Sequence, residues 1–105
     1  MVSTLLEGGY YLVYVENEHI CGWIGVGQSY DFYSAEIIGI IPELYVLPKY
    51  RKKGIAEKLC KAAFERLKHD GYKSVQLNVF AGNHAKKLYE KLGFQDISIL
   101  MERKF

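Results

Sequence analysis

The chain is poor in cysteine and in long apolar runs, and each shortage excludes something. Only two cysteines, Cys21 and Cys60, stand among its 105 residues. Neither has a CxxC or CxxH neighbour, which argues against a disulfide-dense scaffold and a structural zinc site. Both thiols are expected reduced in a cytosolic interior, with a single bridge left open. No apolar stretch approaches the roughly 20 residues that span a bilayer. The start, Met1-Val2-Ser3-Thr4, has neither the basic nor the apolar region of a secretory signal. A cytoplasmic location without membrane association is the expectation. An excess of one charge is missing too: 14 basic residues against 12 acidic give +2, so charge offers no case for nucleic acid. Internal repeats and low-complexity linkers are absent. What is present is apolar and aromatic: half the residues are hydrophobic, with nine tyrosines and five phenylalanines. A chain of this length and composition is expected to bury a real core as one domain, residues 1–105. Some of its aromatic area should face a partner or a ligand.

The two halves differ in hydrophobic period. Tyr10 to Val15 (YYLVYV) and Ile20 to Val26 (ICGWIGV) are rich in aromatic and β-branched residues and read as strands. The polar Glu16-Asn17-Glu18-His19 between them fits a hairpin turn. After a polar break at Gln28 to Asp31, a third strand reads from Ala35 to Leu47, and Pro42, which has no N–H, marks a bulge or an unpaired place in it. Ile55, Leu59, Ala62, Ala63 and Leu67 then recur at steps of three and four, predicting an amphipathic helix over Gly54 to Asp70 that Gly71 ends. Ser74 to Phe80 reads as a strand. Ala85, Leu88, Tyr89 and Leu92 draw a shorter helix stopped by Gly93, and Ile97, Ile99 and Met101 give Phe94 to Phe105 the alternation of a final strand. The fold class is α+β, a mixed sheet in the order β-β-β-α-β-α-β. The strand–helix–strand passage demands a crossover and therefore a parallel pair.

The most informative stretch joins the third strand to the long helix. Arg51-Lys52-Lys53-Gly54-Ile55-Ala56 is a short basic loop that runs straight into a helix N-terminus. Backbone N–H groups there point outward and the helix dipole adds positive potential. Gly54 and Ala56 are small enough for a phosphate oxygen to reach the backbone, and Lys49, Arg51, Lys52 and Lys53 add charge. One reading is a diphosphate cradle. The other is an exposed loop kept soluble by four cations, with Gly54 as a turn residue. No GxxxxGK[ST] string and no GxGxxG string opening a helix is present. Gly22, Gly25 and Gly27 lie within or just after a strand and read as packing or bulge residues.

Arg51 to Ala56 fits the [QR]-x-x-G-x-[GA] loop of the GCN5-related N-acetyltransferases, and Leu88-Tyr89-Glu90-Lys91-Leu92-Gly93-Phe94 resembles that family's LYEKLGF helix ending. The two motifs occur in order with a strand between them, and the resemblance covers about Tyr10 to Phe105. It implies transfer of an acetyl group from acetyl-CoA (coenzyme A) to an amine, with a small molecule or a peptide as acceptor. The diphosphate is then expected on the amides of Arg51, Lys52, Lys53, Gly54, Ile55 and Ala56. The pantetheine is expected to pair, like an added strand, with the backbone of Leu44, Tyr45 and Val46. A strand N–H near Val46 is the natural donor to the acyl oxygen.

Further roles follow from the same resemblance. Tyr89 reads as the acid that protonates or hydrogen-bonds the leaving sulfur. Its helical spacing equally suits an aromatic that packs the second helix on the sheet. Asn83 resembles the family asparagine near the cofactor, although it stands six residues before the tyrosine where the family commonly has seven; as an asparagine it also suits an N-cap. Glu43, on the same strand face as Tyr45, is the best-placed base for the amine proton, against a plain solvated strand glutamate. Asn78 takes the place where relatives that acetylate ribosomal-protein N-termini carry a glutamate, which argues against sharing their mechanism. His19 and His69 read as solvated, and His84 as a surface residue near the cofactor region.

Relatives usually begin with one more strand and two helices that wall the acceptor site. The expectation here is therefore a short form with its cofactor half complete. Apolar and aromatic surface, such as Tyr11, Val13, Trp23 or Tyr33, would be left on one sheet face for a homodimer to cover. An N-acetyltransferase acting by direct attack in a ternary complex is the leading reading, and a non-catalytic acyl-CoA-binding or regulatory module is the alternative.

Overall fold

Three antiparallel strands, β1 (Tyr10–Glu16), β2 (His19–Asp31) and β3 (Glu36–Val46), form most of the sheet. This is a computed structural model that describes residues 9–79 and 81–105. A 3-10 turn (Pro48–Tyr50) leads into helix α1 (Ile55–His69). Strand β4 (Val75–Gln76) and helix α2 (Ala85–Lys91) follow. The sheet order is β1-β2-β3-β4, and β4 lies parallel to β3, as the crossover requires.

Local chemistry accounts for the joints. Asn17 (φ 49°) and Glu18 (φ 65°) both adopt the left-handed region, the geometry of a two-residue hairpin whose twist matches its strands. The β2–β3 register slips between Gly25 and Gly27, so that Val26 faces Ile41 and Pro42 without a ladder partner. A residue with no N–H sits where the pairing lapses, as expected. Strand β2 nevertheless runs on through the polar break expected at Gln28 to Asp31. Those residues pair with Gly39 to Glu36 through main-chain groups, which need no apolar side chains.

Helix α1 buries Ile55, Leu59, Cys60, Ala63 and Leu67 against one sheet face, where Ile24, Val26 and Ile41 complete the core. Ala62, expected inward, is exposed, and Cys60 takes the inward place. Both helices end alike. Gly71 (φ 90°) donates to the Lys68 carbonyl and Tyr72 to Leu67; Gly93 (φ 96°) donates to Glu90 and Phe94 to Tyr89. These paired bonds satisfy the last carbonyls, and the positive φ they need explains both glycines.

Two strand expectations are corrected. The strand expected over Ser74 to Phe80 is paired only at Val75 and Gln76, opposite Gly39 and Ile40; Phe80 lies outside the described residues, as does the lead-in before Gly9. The segment Phe94 to Phe105 is not a strand. Its alternation is broken by Leu100, apolar on the other side, so it has no single apolar face to bury. Ile97, Ile99 and Met101 remain 69, 77 and 85% exposed.

Candidate functional site

The short reach of β4 opens the sheet beside β3. Leu47 N–H donates to Cys21 on β2 at 2.8 Å. Since a trans peptide points its C=O and the next N–H opposite ways, the Val46 carbonyl must face away from β2. Strand alternation then turns the N–H and C=O of Leu44 and Val46 toward the gap and those of Tyr45 toward β2. Of the three residues expected to pair with a pantetheine, two present main-chain groups to the opening. The backbone of Tyr45 is committed to the ladder, which corrects that expectation for this residue.

At the mouth of the opening lies the basic loop. Lys52 (φ 63°) and Gly54 (φ 78°) are both left-handed, so the loop curls around its own amides. Arg51 N–H turns inward to the Pro48 carbonyl at 3.3 Å. The N–H groups of Lys52, Lys53 and Gly54 have no partner among the described residues. Those of Ile55 and Ala56 belong to the first helical turn, where no intrahelical acceptor exists. Gly54 is the N-cap of α1 and supplies no side-chain cap, and a Cβ built on it would meet nothing within 4 Å. These amides border a cavity of about 220 Å³ lined by Val46, the loop, the first turn of α1 and Leu88 of α2. The Arg51 side chain bridges loop and strand: its Nε donates to the Val46 carbonyl at 2.8 Å, and its guanidinium lies 5.4 Å from the Tyr45 ring. Lys91 on α2 reaches Glu57 on α1 at 3.4 Å and fastens the second helix beside the loop.

Glu43 stands on the sheet face opposite α1. Its two oxygens are engaged separately: Tyr11 donates to Oε2 at 2.7 Å and Trp23 Nε1 donates to Oε1 at 3.1 Å. These bonds, Trp23's foremost, hold the carboxyl below its ordinary range. Neither Tyr11 nor Trp23 was singled out as a partner of Glu43 by the sequence, because the contact depends on cross-strand register.

Tyr89 is half-buried. It packs edge-on against Phe94 with ring centroids 5.7 Å apart, the apolar contact that accompanies the α2 stop. Burial, and then the nearby Cys60, push its phenol pKa up, so it carries its proton at neutral pH. Tyr89 does not line the loop cavity, whereas its neighbour Leu88 does. The Asn83 Oδ1 accepts from Ala85 N–H at 2.8 Å, so its oxygen caps the first turn of α2 and its amide nitrogen stays available.

A sequence model of the acetyltransferase (GNAT) family matches residues 3–94. The chain belongs to that family. Among its relatives is the Bacillus subtilis protein YycN, an uncharacterized N-acetyltransferase, 30% identical over 91 residues that cover 86% of this chain and 57% of the relative. A candidate ribosomal protein bS18-alanine N-acetyltransferase of Bacillus subtilis is 34% identical, with 87% and 58% covered. The chain thus spans under three-fifths of the length of these two relatives. A solved Pyrococcus furiosus structure, a candidate acetyl transferase, superposes with a TM-score of 0.84 at 26% identity, over 92% of this GNAT chain and 66% of that one. The aminoglycoside N-acetyltransferase AAC(6')-Iy, solved in complex with CoA, shares the fold with a TM-score of 0.80 at 17% identity, over 94% and 78%. No helix among the described residues is long and apolar enough to cross a membrane.

Proposed function

We propose that this GNAT chain transfers an acetyl group from acetyl-CoA to a primary amine of a small-molecule or peptide acceptor, by direct attack within a ternary complex. The observation that carries the reading is the curled loop whose amides at Lys52, Lys53, Gly54, Ile55 and Ala56 have no partner among the described residues, capping a helix beside a parted sheet. The loop suits a diphosphate: its donors lack acceptors, the Cβ direction of Gly54 is open, and Arg51, Lys52 and Lys53 supply charge. CoA in the fold relative AAC(6')-Iy lends support.

When bound, acetyl-CoA supplies a thioester, an acyl group already activated toward an amine. The chain's own residues do the rest. Leu44 and Val46 offer main-chain groups along the gap, and Val46 N–H stabilises negative charge developing on the acyl oxygen. Arg51 keeps one N–H on the Val46 carbonyl and has further donors for phosphate. Glu43 holds the acceptor nitrogen and passes its proton to water. Tyr89, protonated at neutral pH, is the donor to the departing sulfur. Asn83 adds its amide N–H groups near the start of α2. A homodimer that walls the acceptor side belongs to the same reading; the 94% exposed Tyr33 lies on surface that a second copy can cover.

Calorimetry with acetyl-CoA, followed by free-thiol release over a panel of amines, tests the proposal. Binding with amine-dependent release is the expected result. Absence of binding removes the reading, and binding without release for any amine reduces the chain to a carrier-binding module.

A further inference from the structure

The open sheet face carries two aligned rows. Tyr11, Gly25 and Glu43 are neighbours across β1, β2 and β3, and Val13, Trp23 and Tyr45 form the next row. Gly25 has no side chain, so it places nothing between the phenol of Tyr11 and the carboxylate of Glu43, and the 2.7 Å bond crosses above it. From the second row the Trp23 indole reaches over to the other carboxylate oxygen at 3.1 Å and stacks on Tyr45, ring centroids 5.0 Å apart. The guanidinium of Arg51 lies over the same Tyr45 ring, 5.4 Å from its centroid. A glutamate that served only to keep a strand soluble would need no such pair of donors.

We infer that Tyr11 and Trp23 are positioning residues that lock Glu43 as an anionic seat for a compact primary ammonium, and that the aromatic surround selects acceptors arriving as protonated alkylamines. The inference rests on the proposed acyl transfer and assigns the acceptor class of the same site. An ionised carboxylate has about four lone-pair directions, and two donors leave about two for a ligand. Among the described residues no cation forms a salt bridge with Glu43, so its charge is compensated only by neutral donors. Among the described residues the groups facing it are the phenol of Tyr11 from β1, the indole of Trp23 from β2 and Tyr45 on its own strand, with Arg51 against the Tyr45 ring. A quaternary ammonium has no N–H to donate to the carboxylate, and a neutral alcohol has no charge. Both should therefore bind worse than a primary ammonium. The clamp that steadies Glu43 also weakens it as a base, so the seat orients the nitrogen and the proton leaves through water.

Trp23 is the single tryptophan, so its fluorescence reads the seat directly. The probes are n-butylammonium, tetramethylammonium and n-butanol, titrated into the full chain at neutral pH. A saturable change with n-butylammonium is expected, absent with n-butanol and at least about tenfold weaker with tetramethylammonium, the scale of about one charged hydrogen bond. Glu43→Gln should abolish the response. Tyr11→Phe, which keeps the ring and removes the donor, should weaken it about fivefold and return the Glu43 carboxyl toward its ordinary value in a carbon-13 pH titration, with acetyl-CoA affinity unmoved. Equal responses to n-butylammonium and n-butanol, or a Tyr11→Phe variant with unaltered affinity and an unaltered Glu43 titration, would overturn the inference. Those results would leave acetyl-CoA binding and thiol release standing. Loss of acetyl-CoA binding alone would instead overturn the proposed function.

Discussion

Gly54 and Gly71 offer a matched pair of perturbations. Both have positive φ, 78° and 90°, and in both a Cβ would meet nothing within 4 Å. Alanine at either site therefore creates no clash and brings one shared penalty, that of a side chain in the left-handed region, about 1–2 kcal/mol. For a domain of this size a loss of 1 kcal/mol lowers Tm by about 4–8 °C. Gly54→Ala and Gly71→Ala should thus lose similar stability in urea denaturation. They should part company on acetyl-CoA. Gly71 only ends α1, donating to the Lys68 carbonyl, whereas Gly54 sits in the amide curl at the other end of the helix. A methyl group there projects into the space assigned to the diphosphate. Losing the equivalent of one charged hydrogen bond, about 1.5–3 kcal/mol, weakens binding by roughly ten- to a hundredfold. Calorimetry on the two variants at matched fractions folded is the assay. If both bind acetyl-CoA as the parent does, or both lose it equally, the loop amides are not the cradle and the proposed function loses its support.

Other outcomes follow from the same geometry. Arg51→Glu should weaken acetyl-CoA binding and flatten its salt dependence, measured by titration across ionic strengths, because a screened attraction is replaced by a screened repulsion. Tyr89→Phe should slow turnover with little change in acetyl-CoA affinity, and an unchanged kcat would remove its assigned role. Cys60, its thiol pushed up to about 11 by burial, should resist thiol reagents in the native state and react on unfolding; time-resolved labelling checks this and also decides whether thiol-release assays read CoA alone. The Glu43 carboxyl is lowered in the fold, so the stability it adds is present above the ordinary carboxylate range and is lost as pH falls through its folded value. Acid denaturation curves of the parent and Tyr11→Phe should converge at low pH and separate above it.

How much of this was legible in the sequence depends on whether the signal was local. Hairpin, long helix and both helix stops were readable because each rests on neighbours in the chain: Asn17 and Glu18 in one turn, Ile55 to Leu67 on one helix face, Gly71 and Gly93 at helix ends. Pro42 foretold a lapse in pairing for the same reason. The basic loop was legible as composition, a glycine among cations before a helix, but which of its amides remain free depends on the Pro48–Tyr50 turn, which draws Arg51 N–H inward. What failed was non-local. Alternation in Phe94 to Phe105 suggests a strand, yet a strand exists only where another backbone offers a ladder, and β4 is paired at just two residues.

The clamp on Glu43 belongs to the same class of information. Tyr11, Trp23 and Glu43 are separated by 12 and 20 positions in the sequence and become neighbours only through the β1–β2–β3 register. A slip of one residue would send Glu43 to the core face and Leu44 to the open one. The register that packs half-buried Leu44 against the core is therefore the one that places Glu43 on the face opposite α1, and Gly22 helps to hold it. A Cβ there would lie 2.6 Å from the Tyr45 carbonyl oxygen, within the backbone of β3 itself. Gly22→Val should accordingly do more than destabilise. By prising β3 from β2 beside Tyr45 and Trp23, it should disturb the carboxylate seat and the Leu44–Val46 main chain together, lowering acceptor response and acetyl-CoA affinity in the fraction that remains folded. A Gly22→Val protein with normal fluorescence response and normal acetyl-CoA binding would show that the two functions do not depend on this strand pairing.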